Sequence, residues 1–213
     1  FIVSKRNDFT LTKQFVGLLK GINDTDKGFT NPFNGIEDPR FRIYIGESNY
    51  DVGRKMGVPY GMSDAATGAF VSANSTEVIS LTRTPYPQII QSNFWSVFMD
   101  YATVCFMKSE AYDWNRQYFE DGLRASLAQW GATNVDNFVN AVLGKFDAAD
   151  ATGKKEIVMT QKYIHLFTQG FEAWAEYRRT LLPKSLVKPG QVTYNGVVFA
   201  TANDSGNDII PRL

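Results

Sequence analysis

Apolar residues recur with a helical period through most of the second half of this chain, and hardly at all between residues 46 and 91. From 93 to 114, Phe94, Val97, Phe98, Tyr101, Val104, Cys105 and Phe106 step by three and four, a stripe broad enough to predict a helix buried on more than one side. A second helix is expected over about 117–130, closed by Gly131 after Trp130. Asn134 is the expected cap of a third, whose face carries Val135, Phe138, Val139, Val142, Leu143 and Phe146. A fourth is expected after Gly153, with Ile157, Val158, Tyr163, Ile164 and Phe167 on its apolar face. Nearer the start, Asp8 to Leu19 reads as a helix stopped by Gly21.

Elsewhere the pattern is that of turns. Residues 23–34 are rich in Asn, Asp, Gly and Pro. Asp38-Pro39-Arg40 begins a turn that runs into the short alternating segment Phe41-Arg42-Ile43-Tyr44. Residues 46–91 hold five glycines and three prolines without sustained periodicity, and a stretch of that length is usually functional or disordered. Near the end, Val192 to Ala200 alternates around Asn195-Gly196, a hairpin signal. The pattern predicts a mostly α protein of antiparallel, tetratricopeptide-like helical hairpins with long irregular loops and little β, although no clear 34-residue repeat is present. Along the chain the expected division is helix and turns over 1–45, a long loop region over 46–91, helical hairpins over 92–183 and an irregular tail over 184–213.

The most distinctive segment is Gln169-Gly170-Phe171-Glu172-Ala173-Trp174-Ala175-Glu176-Tyr177-Arg178-Arg179-Thr180, closed by Pro183. Helical spacing puts Phe171, Trp174 and Tyr177 on one stripe, which must pack against a neighbouring element. Glu172 near the start and Arg178 and Arg179 in the last turn complement the helix dipole. Such a helix reads as architecture rather than as the site itself.

Composition narrows the classes of function. Lysine plus arginine equals aspartate plus glutamate, 22 of each, so no overall field draws nucleic acid or an anionic membrane. The single cysteine, Cys105, excludes an intrachain disulfide, and its apolar helical surroundings predict a buried, inert thiol. No run of eighteen apolar residues could span a bilayer. Aromatics make up a high 14% of the chain; most should be core, which draws attention to the minority in loops.

Several segments occur together in the order of one family. Asp38-Pro39-Arg40 matches a "DPR" turn, and Phe98 to Ala111 is similar to a helix usually reading "TYAEVxFILAEAA", with Thr103 in place of the usual Glu and Lys108-Ser109 in place of a Leu-Ala type pair. Gly122-Leu123-Arg124-Ala125-Ser126 is similar to "GIxAS", and Lys162 to Phe167 to "QKYIALF". With the 169–180 helix these make five motifs across about 38–183, and Ile210-Pro211-Arg212-Leu213 resembles the start of a later "PxRxxYP". The ordered set resembles the SusD/RagB-like family. That resemblance implies a helical scaffold with long binding loops, and a cell-surface lipoprotein at the outer membrane that delivers a nutrient to a TonB-dependent, SusC-like transporter. It implies no catalysis and no cofactor. This chain resembles the C-terminal portion of such a protein, so contact with a membrane would run only through a lipid anchor upstream of Phe1.

Sugar rings stack their C–H faces on aromatics and need a few fixed polar partners. The 46–91 region has that mixture, and Tyr50, Tyr60, Phe70 and Tyr86 are its candidate ligand-binding residues. A peptide would be held by the same chemistry, so glycan and peptide both remain as ligands. Two other classes are to be weighed. A glycosidase needs a carboxylate pair across a cleft, and the nearest candidates, Glu172 and Glu176, share one helix. His165 is the only histidine, so any Ser-His-Asp or Cys-His unit must be built on it, and its helical position between Ile164 and Leu166 favours a structural role. A helical-repeat interaction scaffold would have no need of aromatic loops. The acidic strings 23–28 and 203–208 lack the twelve-residue calcium-loop spacing and read as ordinary turns, so no metal is expected.

Overall fold

The computed structural model describes residues 10–45, 55–78 and 97–199. Tyr50, Tyr86, the 203–208 string and the 210–213 segment lie outside the described residues. Eight helices and one two-stranded hairpin are found among those described, so the fold is mostly α.

The first helix, α1 (Lys13–Lys20), starts later than the sequence pattern suggests. Its entry is fixed by Val58: Lys13 N–H donates to the Val58 carbonyl and Val58 N–H to that of Leu11. Those bonds hold residues 11–13 extended, and Thr12 then caps the helix through its hydroxyl, 3.2 Å from Phe15 N. Gly21 closes α1 at φ 65°, and a Cβ there would meet the Ile36 carbonyl oxygen at 2.5 Å, so only glycine fits.

The alternating segment after Asp38-Pro39 is not extended. It is the short helix α2 (Arg40–Ile45), because Asp38 accepts from Arg40 N through Oδ1 at 2.9 Å and from Phe41 N through its carbonyl at 2.9 Å. The long region 46–91 also departs from expectation by holding α3 (Asp64–Ala73), capped by Ser63 and burying only Phe70. One buried side chain in ten residues leaves no apolar face to read as a period.

The hairpins follow in order. In α4 (Tyr101–Ala111), Asp100 caps Thr103 N at 2.7 Å, so Val97, Phe98 and Met99 lie outside the helix expected from 93. Positive φ at Asp113 and Trp114 turns the chain into α5 (Arg116–Gln129). Gly122 lets these two helices approach closely, since a Cβ would lie 3.1 Å from the Phe106 ring. In α6 (Asp136–Ala148), Asn134 takes a left-handed turn at φ 55° rather than capping. In α7 (Ala151–His165), Asp150 caps from outside, its Oδ1 2.7 Å from the N–H of Gly153, which lies within the helix instead of before it. The last helix, α8 (Gly170–Thr180), stops three residues before Pro183 as expected. Strands β1 (Val192–Tyr194) and β2 (Val197–Val198) form the expected antiparallel hairpin, with Asn195 and Gly196 both at positive φ.

The core runs through α1, α2 and α4–α7. At its centre Tyr44 stacks on Phe167 at 4.2 Å, meets Trp130 edge-on at 4.8 Å, and donates its hydroxyl to the Ile164 carbonyl. Cys105 is buried, as its setting implied. No helix among the described residues is long and apolar enough to cross a membrane.

Candidate ligand-binding site

Two polar networks join the five motifs, the first of them built on Arg40. Arg40 is fully buried, with Nε 2.9 Å from Asp38 Oδ1 and Nη2 2.5 Å from Asp38 Oδ2. Its Nη1 donates to Ser126 Oγ at 2.7 Å, and Nη2 also reaches Gln161 Oε1. Burial works against the Arg40 charge, but the Asp38 carboxylate outweighs it and holds the pKa above the ordinary arginine value.

Ser126 Oγ in turn lies 3.0 Å from His165 Nδ1, and His165 Nε2 lies 2.9 Å from both oxygens of Asp100. Burial pushes the Asp100 carboxyl up, yet His165 and the Thr103 N–H outweigh that and hold it well below the usual carboxylate range. Serine, histidine and aspartate in a row resemble a hydrolase triad in composition. Here Ser126 is 0% exposed and Arg40 donates into its oxygen, so the hydroxyl is a structural link.

The 169–180 helix is tied on by charge. Lys162, almost wholly buried, pairs with Glu176 at 2.9 Å. Arg179 grips Glu110 of α4 through two contacts of 2.6 and 2.7 Å and Glu176 at 2.7 Å. Burial alone would raise the Glu176 pKa; Lys162 and Arg179 together lower it.

The aromatic stripe of α8 is less buried than its spacing implied. Tyr177 is buried, Trp174 is half-buried, and Phe171 is 91% exposed. Between Trp174 and Tyr177 on one side and α1 and α7 on the other lies a cavity of about 430 Å³. Its walls are aromatic: Phe15, Tyr60, Tyr163, Phe167, Trp174 and Tyr177. Phe15 and Phe167 stack at 5.4 Å, and Tyr163 stands edge-on to Phe15 at 6.0 Å. The Thr10 hydroxyl, buried in the wall, has no hydrogen-bond partner. Burial raises the Tyr163 phenol to about 12, which keeps it a neutral donor.

Of the four loop candidates, Tyr60 stands in this wall. Its hydroxyl is held by Val187, accepting from the N–H at 2.5 Å, while its ring meets Phe199 edge-on at 5.7 Å. Phe70 is 8% exposed and packs edge-on against Tyr194 at 5.0 Å. Trp174, Tyr163 and Phe167 line the cavity but are not candidates from sequence, because helical spacing alone reads them as core; only the tertiary packing shows the space between them. In the acidic 23–28 string, the Lys13 ammonium sits between Asp24 and Asp26 at 2.8 and 2.6 Å, which makes it an ion-paired turn.

These features coincide with membership of a known family. The chain belongs to the SusD-like family: a family model described as starch-binding, associating with the outer membrane, matches residues 1–201. No curated protein matches the chain. A solved structure described as Bacteroidetes AC2a SusD-like is 22% identical, with a TM-score of 0.43. The match covers 86% of this chain and 38% of that one, so this chain spans well under half of that protein's length.

Proposed function

We propose that this protein binds a glycan at the cell surface, without cleaving it, and delivers it to a TonB-dependent, SusC-like transporter at the outer membrane. The observation that carries the binding step is the aromatic-walled cavity of about 430 Å³. Ligand sites commonly have that size, with mostly apolar walls and a few polar groups that fix orientation. Stacked rings suit the C–H faces of a sugar, while Thr10 Oγ1, which has no partner, and the neutral Tyr163 phenol suit its hydroxyls. Family membership over residues 1–201 supports both the starch-type ligand and the outer-membrane setting.

Tyr60, in the cavity wall, is the loop residue proposed to contribute directly. Tyr50 and Tyr86 are proposed as further contacts from the same region, and Phe70 would act only by turning away from Tyr194. The absence of catalysis is supported by the occlusion of Ser126 and by the ion-pairing of Glu176. Native gels containing soluble starch test the proposal. Wild-type protein is expected to be retarded and to release no reducing ends, and Trp174→Ala is expected to run freely while melting near the wild-type temperature. Retardation that ignores Trp174→Ala would remove the cavity from the account, and released reducing ends would make the protein a hydrolase.

A further inference from the structure

A second space lies on the far side of α1, bounded by the 22–29 turn, residues 55–57 and Ser185, with a volume of about 130 Å³. Gln14 lines it, is 2% exposed, and has no hydrogen-bond partner for either amide atom. Asp24 Oδ2 and Ser185 Oγ, from two other walls, are buried and equally without partners. Folded proteins leave few buried polar groups unpaired. Four such atoms on three elements around one cavity indicate an occupant.

Charge selects its kind. Lys13 is engaged by Asp24 and Asp26, and Lys20 and Lys55 donate to the Lys55 and Thr76 carbonyls. The ammonium groups that line the space thus disfavour a cation while already holding acceptors of the protein, and the free lone pairs of Asp24 Oδ2 disfavour an anion. A neutral occupant must then both donate and accept: Gln14 Oε1 and Asp24 Oδ2 accept, Gln14 Nε2 donates, and the Ser185 hydroxyl does either. Adjacent hydroxyls on one carbon chain meet that demand, and Phe29, Ile22 and Met56 offer apolar walls to the carbons between them. We propose that this cavity is a binding site for one small neutral molecule bearing vicinal hydroxyls. The site is separate from the aromatic cavity and does not depend on what that cavity binds.

The test is saturation-transfer NMR on the whole 213-residue protein with erythritol and D-mannitol, open-chain polyols with no sugar ring to stack in the aromatic cavity, and with 1-propanol as a control lacking vicinal hydroxyls. Gln14→Met and Ser185→Ala remove only atoms that hold nothing else in the structure, so both variants are expected to fold, as a melting curve will verify. Erythritol or mannitol should bind wild type; Ser185→Ala should weaken that binding about tenfold, as expected for one lost hydrogen bond, and Gln14→Met, which removes two, should weaken it further. The proposal is overturned if neither polyol gives a transfer signal, if propanol binds equally well, or if both variants bind like wild type, leaving only ordered water in the cavity. Starch retention without polyol binding would overturn this site alone; polyol binding without starch retention would overturn the proposed function alone.

Discussion

Replacing Arg40 with methionine should remove a large part of this protein's stability. The side chain is 0% exposed and serves Asp38 twice, Ser126 once and Gln161 once. Arg40→Met fills most of the volume but leaves the Asp38 carboxylate, 2% exposed, without its counter-charge. Breaking a buried pair by removing one partner costs about 3–5 kcal/mol. A domain's entire stability is about 5–15 kcal/mol. The variant should therefore unfold at a much lower urea concentration, followed by tryptophan fluorescence and circular dichroism. Asp38→Asn added to Arg40→Met should restore part of the loss. The amide carries no charge, and its oxygen can still accept from Arg40's former backbone N–H, now that of Met at the same position. A loss below about 1 kcal/mol, or a double variant as unstable as the sum of the singles, would refute the view that this pair is buried and coupled.

The networks also set an acid limit. Asp100 and Glu176 are both held below their ordinary values of 3.8 and 4.5, so the unfolded chain binds the extra protons. Their contribution is complete above those values and is lost as the pH falls through the lower folded ones. The urea midpoint should decline below about pH 4, and Asp100→Asn should flatten that decline. Glu176→Gln leaves the Lys162 ammonium, 3% exposed, short of a counter-charge and should cost about 1–3 kcal/mol. By contrast Glu37→Gln, at a pair exposed to 54% and 42%, should cost under about 0.5 kcal/mol. The Cys105 thiol should resist a thiol reagent in the native protein and react only at the rate of opening, which a colorimetric time course will measure.

The helical hairpins were legible because their apolar faces repeat over ten or more residues, a signal that neighbouring residues reinforce. Boundaries were harder, since single side chains set them. Asp150 captures Gly153 N and so begins α7 ahead of the glycine, and Asn134 adopts a left-handed turn where a cap was expected. In α2, alternation misled because Asp38 nucleates a helix whose arginine is drawn inward by Asp38 itself and by two partners from distant segments. The five motifs could be read as a set, but not their common cause. They meet in two networks: Arg40, Ser126, His165 and Asp100 along one chain of hydrogen bonds, and Lys162, Glu176, Arg179 and Glu110 along another. Apart from Tyr60, the aromatic cavity left no trace in sequence, because Phe15, Tyr163 and Trp174 each look like core residues until three helices fail to close around them.

The most direct measurement is the retardation of wild-type and Trp174→Ala protein in a native gel of soluble starch, with reducing ends assayed in the same samples. The account predicts retardation of the wild type, its loss in the variant, and no reducing ends from either. Equal mobility of wild type with and without starch, or equal retardation of both proteins, would contradict it.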